Sequence, residues 1–148
     1  MTAPPHDRLF DVLTATWPAA RVLPVEPWHL RQGNGGGQRV SAATAEGAVT
    51  GDDITDAERQ MRVMGQNPLF MIREGDASLD TQLAQRDYQV SDPTLLYVAP
   101  TEALVADLPL TDAMPSWPPL AVQRELWANG GVDSARVAVM ERAKGLKT

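Results

Sequence analysis

The chain has 148 residues, a net charge of −6, no cysteine, two histidines and 13 scattered lysine and arginine residues. This composition excludes disulfides and thiolate metal sites, and it argues against a histidine-rich metal site and against a nucleic-acid interface, which needs a basic face. No apolar run approaches the ~20 residues of a membrane helix, so we expect a cytoplasmic protein that binds neither membrane nor nucleic acid.

The first predicted elements are a helix and a strand. Apolar residues between Leu9 and Trp17 recur at helical spacing, which predicts a helix over 5–17 that Pro18 ends. The stretch ARVLPVEP holds two prolines and is interpreted as an extended connector. The residues WHLRQ, 28–32, then predict a strand in which His29 faces solvent, opposite to its two apolar neighbours.

The glycine-rich stretch QGNGGGQRV has two interpretations. Glycine forms hairpin turns because it accepts positive φ, and glycine loops also bind phosphates through backbone N–H groups. Gln32, Gly35 and Gly37 fit the Q/R-x-x-G-x-G/A spacing with which GNAT-type N-acetyltransferases bind the pyrophosphate of coenzyme A, so they are the candidate cofactor-binding residues. That loop leads into a helix, whereas strand-forming RVSAAT follows here. The sequence favours a hairpin turn over Gln32–Gln38, and the phosphate loop is the alternative.

Helices and strands alternate in the next part of the chain. GAVTGDDITDAERQMRVMG predicts a helix with an acidic start, an apolar stripe and a stop at Gly65. PLFMIR predicts a strand covered on both faces, Asp76 is placed to cap a helix in ASLDTQLAQRDY, and TLLYVAP predicts a further strand. The fold class is therefore α/β (α+β), with a mixed, mostly antiparallel sheet and packed helices. One core is predicted from the inward positions: Ile54, Met61, Leu69, Met71, Leu79, Leu83, Leu95 and Tyr97.

The C-terminal part has a different composition. TEALVADLPLTDAMPSWPPL holds four prolines and is interpreted as a linker over 101–119. LAVQRELWANG and DSARVAVMERAKG predict two helices, of which Gly130 ends the first and Asp133 caps the second.

The titratable residues form no recognisable acid–base or nucleophile set, so the catalytic residues stay unassigned. Tyr88 and Tyr97 could act as general acids, although a tyrosine at the edge of the core accounts for each of them. The acidic residues from Asp52 to Glu58 are interpreted as a helix start rather than a metal site. No metal site is predicted.

The stretch WHLRQGNGGGQRVSAAT resembles the signature of a group of bacterial GNAT-type N-acetyltransferases, which have a Trp-x-Leu-Arg strand, a glycine turn and an Arg-Val/Ala-x-Ser strand. PLFMIREGDASLDTQLAQRDYQVSDPTLLYVAP is similar to the strand–helix–strand that closes the same half. The resemblance covers 17–100, and more loosely 117–145. In that group two GNAT-like halves follow each other, of which the first is degenerate and the second binds acetyl-CoA.

The resemblance implies a GNAT-like N-terminal domain over 1–100 and, after the linker, a helical segment over 120–148 that opens a second GNAT domain. It implies acetylation of a small-molecule or peptide amine, with acetyl-CoA as co-substrate. Either this chain is the acetyltransferase, or it is the non-catalytic half of one. Its partner would be an acetyl-CoA-binding GNAT domain in cis or in trans. Because the glycine loop lacks a following helix, we expect this chain alone to bind acetyl-CoA weakly or not at all. The alternative is a stand-alone, non-enzymatic binding or interaction module.

Overall fold

The computed structural model describes residues 4–105 and 116–143, with side chains described as far as residue 103 in the first segment. Within these ranges the strands are β1 (Arg21–Val25), β2 (Trp28–Gln32) and β3 (Thr44–Ala45). The helices are α1 (His6–Thr16), α2 (Gly51–Val63), α3 (Ala77–Ala84), α4 (Thr101–Val105), α5 (Ala121–Asn129) and α6 (Ser134–Arg142). None of these helices is long and apolar enough to span a membrane.

The three strands form one antiparallel sheet in the order β1-β2-β3, and the chain has the predicted α+β class. Leu23 lies opposite Leu30, and His29 lies opposite Thr44. The interpretation of ARVLPVEP as a connector is wrong, because most of it is strand β1. Pro24 fits there because β1 is an edge strand, in which a residue without an N–H removes no interior ladder bond.

Helices α2 and α3 cover one face of the sheet and form the core with it. Helix α2 begins at a capping box, in which the Thr50 N–H donates to Asp53 Oδ2 (2.8 Å) and the Asp53 N–H donates to Thr50 Oγ1 (3.3 Å). Asp76 precedes α3 as predicted, but its carboxylate accepts from the Arg73 N–H (2.9 Å) instead of capping the helix. The buried core consists of Trp28, Leu30, Ala43, Ala45, Ile54, Ala57, Met61, Leu79 and Leu83.

Two predicted strands are absent from the described part of the sheet. PLFMIR makes one parallel bridge, in which the Ala43 N–H donates to the Leu69 carbonyl and the Met71 N–H donates to the Ala43 carbonyl. Leu69 and Met71 are half-buried but lie outside the core cluster, so their assignment to the core is wrong. TLLYVAP pairs with no described strand, and Leu95 and Tyr97 are 76% and 89% exposed, so their assignment to the core is wrong. An apolar run becomes a strand only where a partner supplies the ladder of hydrogen bonds.

The glycine loop is not the predicted tight hairpin. Residues 33–43 do connect two antiparallel strands, but they contain one 3₁₀ turn at Gln38–Val40, and of RVSAAT only Thr44 belongs to β3. Local hydrogen bonds account for the difference, since the Ser41 hydroxyl donates to the Gly37 carbonyl (2.9 Å) and the Ser41 N–H to the Gln38 carbonyl (2.9 Å).

The C-terminal helices form as predicted, and α6 packs on the glycine loop. Val137 and Val139 of α6 are buried, and Arg142 Nη2 donates to the Pro18 carbonyl (3.4 Å). The capping prediction for Asp133 is confirmed, because its Oδ1 accepts from the Arg136 N–H. Of the predicted linker over 101–119, the first residues form α4, whereas 106–115 lie outside the described residues. The division into 1–100, 101–119 and 120–148 stays a prediction.

Candidate functional site

Alternation along β2 separates core residues from the residues of a cleft. Trp28 and Leu30 point into the core, whereas His29 and Arg31 point to the opposite face of the sheet. As predicted, His29 lies opposite to its apolar neighbours. Helix α1 lies over this second face and leaves a cleft of about 1040 Å³ between itself and the strands.

One face of α1 forms a wall of this cleft. Its lining residues Asp7, Phe10, Asp11 and Thr14 are spaced three, one and three apart, which places them on the same side of the helix. The opposite wall consists of the loop after β3 and the turn from Arg73 to Asp76. The cleft is therefore built from segments that are far apart in the chain.

Arg31 lies on the floor of the cleft as a half-buried guanidinium. Its Nη1 donates to the Ala42 carbonyl (3.0 Å) and to Thr44 Oγ1 (3.1 Å). Burial lowers the pKa of Arg31, the carboxylate of Glu46 opposes this shift, and the guanidinium of Arg73 adds to it. Within 4–105 and 116–143 no carboxylate is in ion-pair contact with Arg31.

Glu46 and Arg73 form a separate, internally paired cluster beside Arg31. One Glu46 oxygen lies 3.3 Å from His29 Nδ1 and 3.5 Å from Arg73 Nη1, and it accepts from the Thr44 hydroxyl (3.0 Å). Arg73 also donates to the Ala45 carbonyl and lies over the Phe10 ring, 5.7 Å from its centre. The charge of Arg73 is thus compensated within the protein.

The cleft as a whole is acidic. Five carboxylates and two guanidiniums line it. Glu74 lies 2.7 Å from His6 Nδ1 at the outer edge. By contrast, Asp7 and Asp11 contact no basic side chain in the described part of the chain. Both are exposed residues that line the cleft, and their negative charge favours a cationic ligand.

The glycine loop lies outside this cleft and contacts α6. A Cβ on Gly36 would lie 2.4 Å from Val139 Cγ2, and one on Gly35 would lie 3.2 Å from the Ala135 side chain. Glycine is therefore required at position 36 because a helix approaches the backbone closely. Ala135 and Val139 lie four residues apart on α6, so both contact the loop from the same side of the helix.

The side chain of Gln66, which the sequence did not single out, anchors the start of the glycine loop. Its Nε2 donates to the carbonyls of Arg31 (2.7 Å) and Ser41 (2.8 Å), and its Oε1 accepts from the Gly33 N–H (3.3 Å). The loop is thus held by an amide on one side and by α6 on the other.

Of the candidate cofactor residues, Gln32 ends β2 and Gly35 and Gly37 follow in the glycine loop, and none of them lines the cleft. A helix does begin at Gln38, but it is a single 3₁₀ turn, too short to carry an appreciable helix dipole. Their assignment to acetyl-CoA stays a prediction.

Tyr88 lies at the edge of the core, on the other side of the molecule's sheet from the cleft. Its hydroxyl donates to Glu58 Oε1 (3.0 Å), and its ring contacts Phe70 edge-on at 5.4 Å. Burial, followed by the hydrogen bond to Glu58, raises the pKa of Tyr88 to about 12. Tyr88 therefore packs against the core with its hydroxyl at the edge, as the sequence favoured.

The acidic residues from Asp52 to Glu58 belong to the start of α2. Hydrogen bonds from Thr50 lower the pKa of the Asp53 carboxyl, and Asp56 forms an ion pair with Arg59 (2.7 Å). No group of three or more His, Asp or Glu side chains in the described ranges is arranged to hold a metal ion. Asp53 therefore caps α2, and Asp56 forms an ion pair on its exposed surface.

Sequence reasoning missed the cleft, although part of its signal was available. The alternation of β2 placed His29 and Arg31 on one face, and the spacing of Asp7 and Asp11 placed both on one side of α1. That these two faces meet depends on the tertiary fold. No family model, curated protein or solved structure matches the chain.

Proposed function

We propose that this chain binds an amine-bearing small molecule or peptide in the cleft and serves as the non-catalytic N-terminal half of a GNAT-type N-acetyltransferase. The observation that carries the proposal is the acidic cleft, in which Asp7 and Asp11 face the lumen without a basic partner among the described residues. An ammonium group that enters a cleft loses hydration, and unpaired carboxylates offset that loss.

Two contacts support the assignment to a non-catalytic half. The hydroxyl of Tyr88, a candidate general acid, donates to Glu58 away from the cleft. The glycine loop is covered by α6 at Gly36. In this proposal the acetyl-CoA is held by a separate GNAT domain, in cis or in trans, and this chain presents the amine to it.

A stand-alone binding module is the second candidate. It is favoured by the apolar side chains that are exposed on α5 and on the residue that precedes it: Leu120 (56%), Val122 (56%) and Leu126 (64%). Exposed apolar patches mark surfaces at which proteins associate. The two candidates share the cleft and differ in whether an acetyl-CoA-binding domain is the partner.

Calorimetric titration with the amide of the dipeptide alanylalanine, which carries an amine and no carboxylate, tests the role of the cleft. We expect the double variant Asp7→Asn/Asp11→Asn to lower the affinity at least about tenfold, the loss expected for a charge-assisted hydrogen bond. Asp80→Asn removes one exposed carboxylate of α3 outside the cleft and is the matched control. Equal affinities of the wild type and the double variant would contradict amine binding by α1.

Titration with acetyl-CoA tests whether this chain by itself binds the co-substrate. We expect no low-micromolar binding by this chain alone, because the pyrophosphate needs helix N–H groups that the glycine loop does not supply. A dissociation constant in that range, about −7 to −8 kcal/mol, would mean that the chain is an acetyltransferase in its own right.

A further inference from the structure

Arg31 differs from the other arginine of the cleft in having no ion-pair partner among the described residues. Arg73 lies 3.5 Å from a Glu46 oxygen and 3.4 Å from Asp76 Oδ2. Arg31 makes two hydrogen bonds to neutral acceptors, both through Nη1. Its Nε and Nη2 donate to none of the described residues, although they belong to a guanidinium that lines the cleft.

A half-buried charge without a counter-ion is costly to the fold. Burial is the largest influence on Arg31 and lowers its pKa, and the carboxylate of Glu46, which is not in ion-pair contact with Arg31, offsets this shift only in part. A guanidinium offers paired N–H donors in one plane, a geometry that matches the two oxygens of a carboxylate. A carboxylate from a ligand would supply the missing partner.

Glu46 does not block this position. Its carboxylate is already engaged by Arg73, by the Thr44 hydroxyl and by His29. The acidic character of the cleft selects for a ligand with a single negative charge, because a dianion such as phosphate meets five carboxylates around two guanidiniums.

We infer that Arg31 is the receptor for a carboxylate of the bound ligand, so that the cleft takes a zwitterion: a free amino acid or a peptide with a free carboxyl end. The amine of this ligand lies toward Asp7 and Asp11 on α1, and its carboxylate lies on the floor at Arg31. The inference rests on the proposed function and deepens it, since it names the class of amine.

Calorimetric titration with three probes tests the inference: alanylalanine, its C-terminal amide and its N-acetyl derivative. We expect the wild type to bind alanylalanine at least about tenfold more tightly than the amide. The amide lacks the second oxygen that would accept from the paired N–H donors of the guanidinium. Arg31→Gln should abolish this preference, because the guanidinium that distinguishes the acid from the amide is removed. Arg21→Gln is the matched control, because Arg21 lies on the neighbouring strand outside the cleft.

The outcomes separate the inference from the proposed function. Equal affinities of the wild type for the acid and the amide overturn the carboxylate receptor and leave amine binding intact. Equal affinities for the acid and its N-acetyl derivative contradict amine binding and leave the receptor intact. Absence of binding by all three contradicts both. Inorganic phosphate that binds more tightly than alanylalanine and is lost in Arg31→Gln overturns the ligand class.

A second measurement guards against misfolding of the variant. Arg31 bonds to the Ala42 carbonyl and to Thr44, so Arg31→Gln is compared with the wild type by thermal denaturation first. Where the variant is unfolded, the comparison of acid with amide on the wild type decides the matter alone.

Discussion

The two faces of the sheet differ in how completely helices bury their side chains. On the inner face, Trp28 and Leu30 are 2% and 0% exposed beneath α2 and α3. On the outer face, His29 and Arg31 are half-exposed beneath α1, whose side chains are all half-buried or exposed. One strand therefore serves stability with every second residue, and we propose that the residues between them serve ligand binding. Substitutions on the inner face should change the free energy of unfolding, and those on the outer face should change binding.

The largest effect is expected from the inner face, at Leu83. Leu83 is 4% exposed in the core cluster, so Leu83→Ala leaves a cavity and should lower the free energy of unfolding by about 2–5 kcal/mol. Chemical denaturation measures this change. A loss smaller than about 0.5 kcal/mol, the usual range for surface substitutions, would show that the inner face is not closed.

The contact between the glycine loop and α6 should give the next largest effect. A Cβ at Gly36 would lie 2.4 Å from Val139 Cγ2, so Gly36→Ala should cost about 1–3 kcal/mol by overpacking. In chemical denaturation, Val139→Ala in the same chain should recover part of the loss by removing the clash. Gly47→Ala is the control, since its Cβ would meet nothing within 4 Å. An unchanged free energy of unfolding in Gly36→Ala would mean that α6 does not pack on the loop.

The capping box of α2 holds the helix that closes the inner face. Thr50→Ala removes the hydroxyl that accepts from the Asp53 N–H, and it should lower the free energy of unfolding by about 1 kcal/mol. Urea denaturation followed by circular dichroism measures the loss. Thr81→Ala, on the exposed surface of α3, provides a threonine control outside a cap. Equal losses in the two variants would contradict the role of the box.

Tyr88 at the rim of the inner face gives a pH-dependent contribution. Its pKa in the fold is about 12, above the value of about 10 for an unfolded chain. The folded state therefore favours the neutral hydroxyl, so this contribution to stability is present below pH ~10 and is lost as the pH rises through ~12.

Ultraviolet absorbance of Tyr97→Phe reports the Tyr88 titration alone, because the chain has two tyrosines. We expect a midpoint near pH 12, and a lower midpoint after the additional substitution Glu58→Gln, which removes the negative partner. A midpoint near pH ~10 would show that the hydroxyl is not held in the fold.

The smallest effect is expected from the exposed segment that the sequence placed in the core. Leu95 is 76% exposed, so Leu95→Ala should change the free energy of unfolding by less than about 0.5 kcal/mol. The same denaturation experiment as for Leu83→Ala compares one chemical change in two environments. A loss of about 2 kcal/mol or more would mean that TLLYVAP is buried after all.

Local features of the sequence determined the helices and the division of β2. The periodicity from Ile54 to Met61 and the Asp133 cap depend on neighbours within one or two turns, so they form as predicted. The alternation that separates Leu30 from Arg31 follows from the pleat of any strand. The sequence also indicated that Tyr88 belongs to the edge of the core.

Tertiary contacts decided what the sequence left open. The compositions of PLFMIR and TLLYVAP predict a strand equally well. In the structure, PLFMIR forms a single bridge with Ala43, and no described strand pairs with TLLYVAP. Gly36 is needed because α6, a hundred residues further along, lies against it. The cleft exists because α1 and the turn at Arg73 meet over the outer face of the sheet. Such contacts depend on distances in space between segments remote in the chain, and no local pattern of residue types encodes those distances.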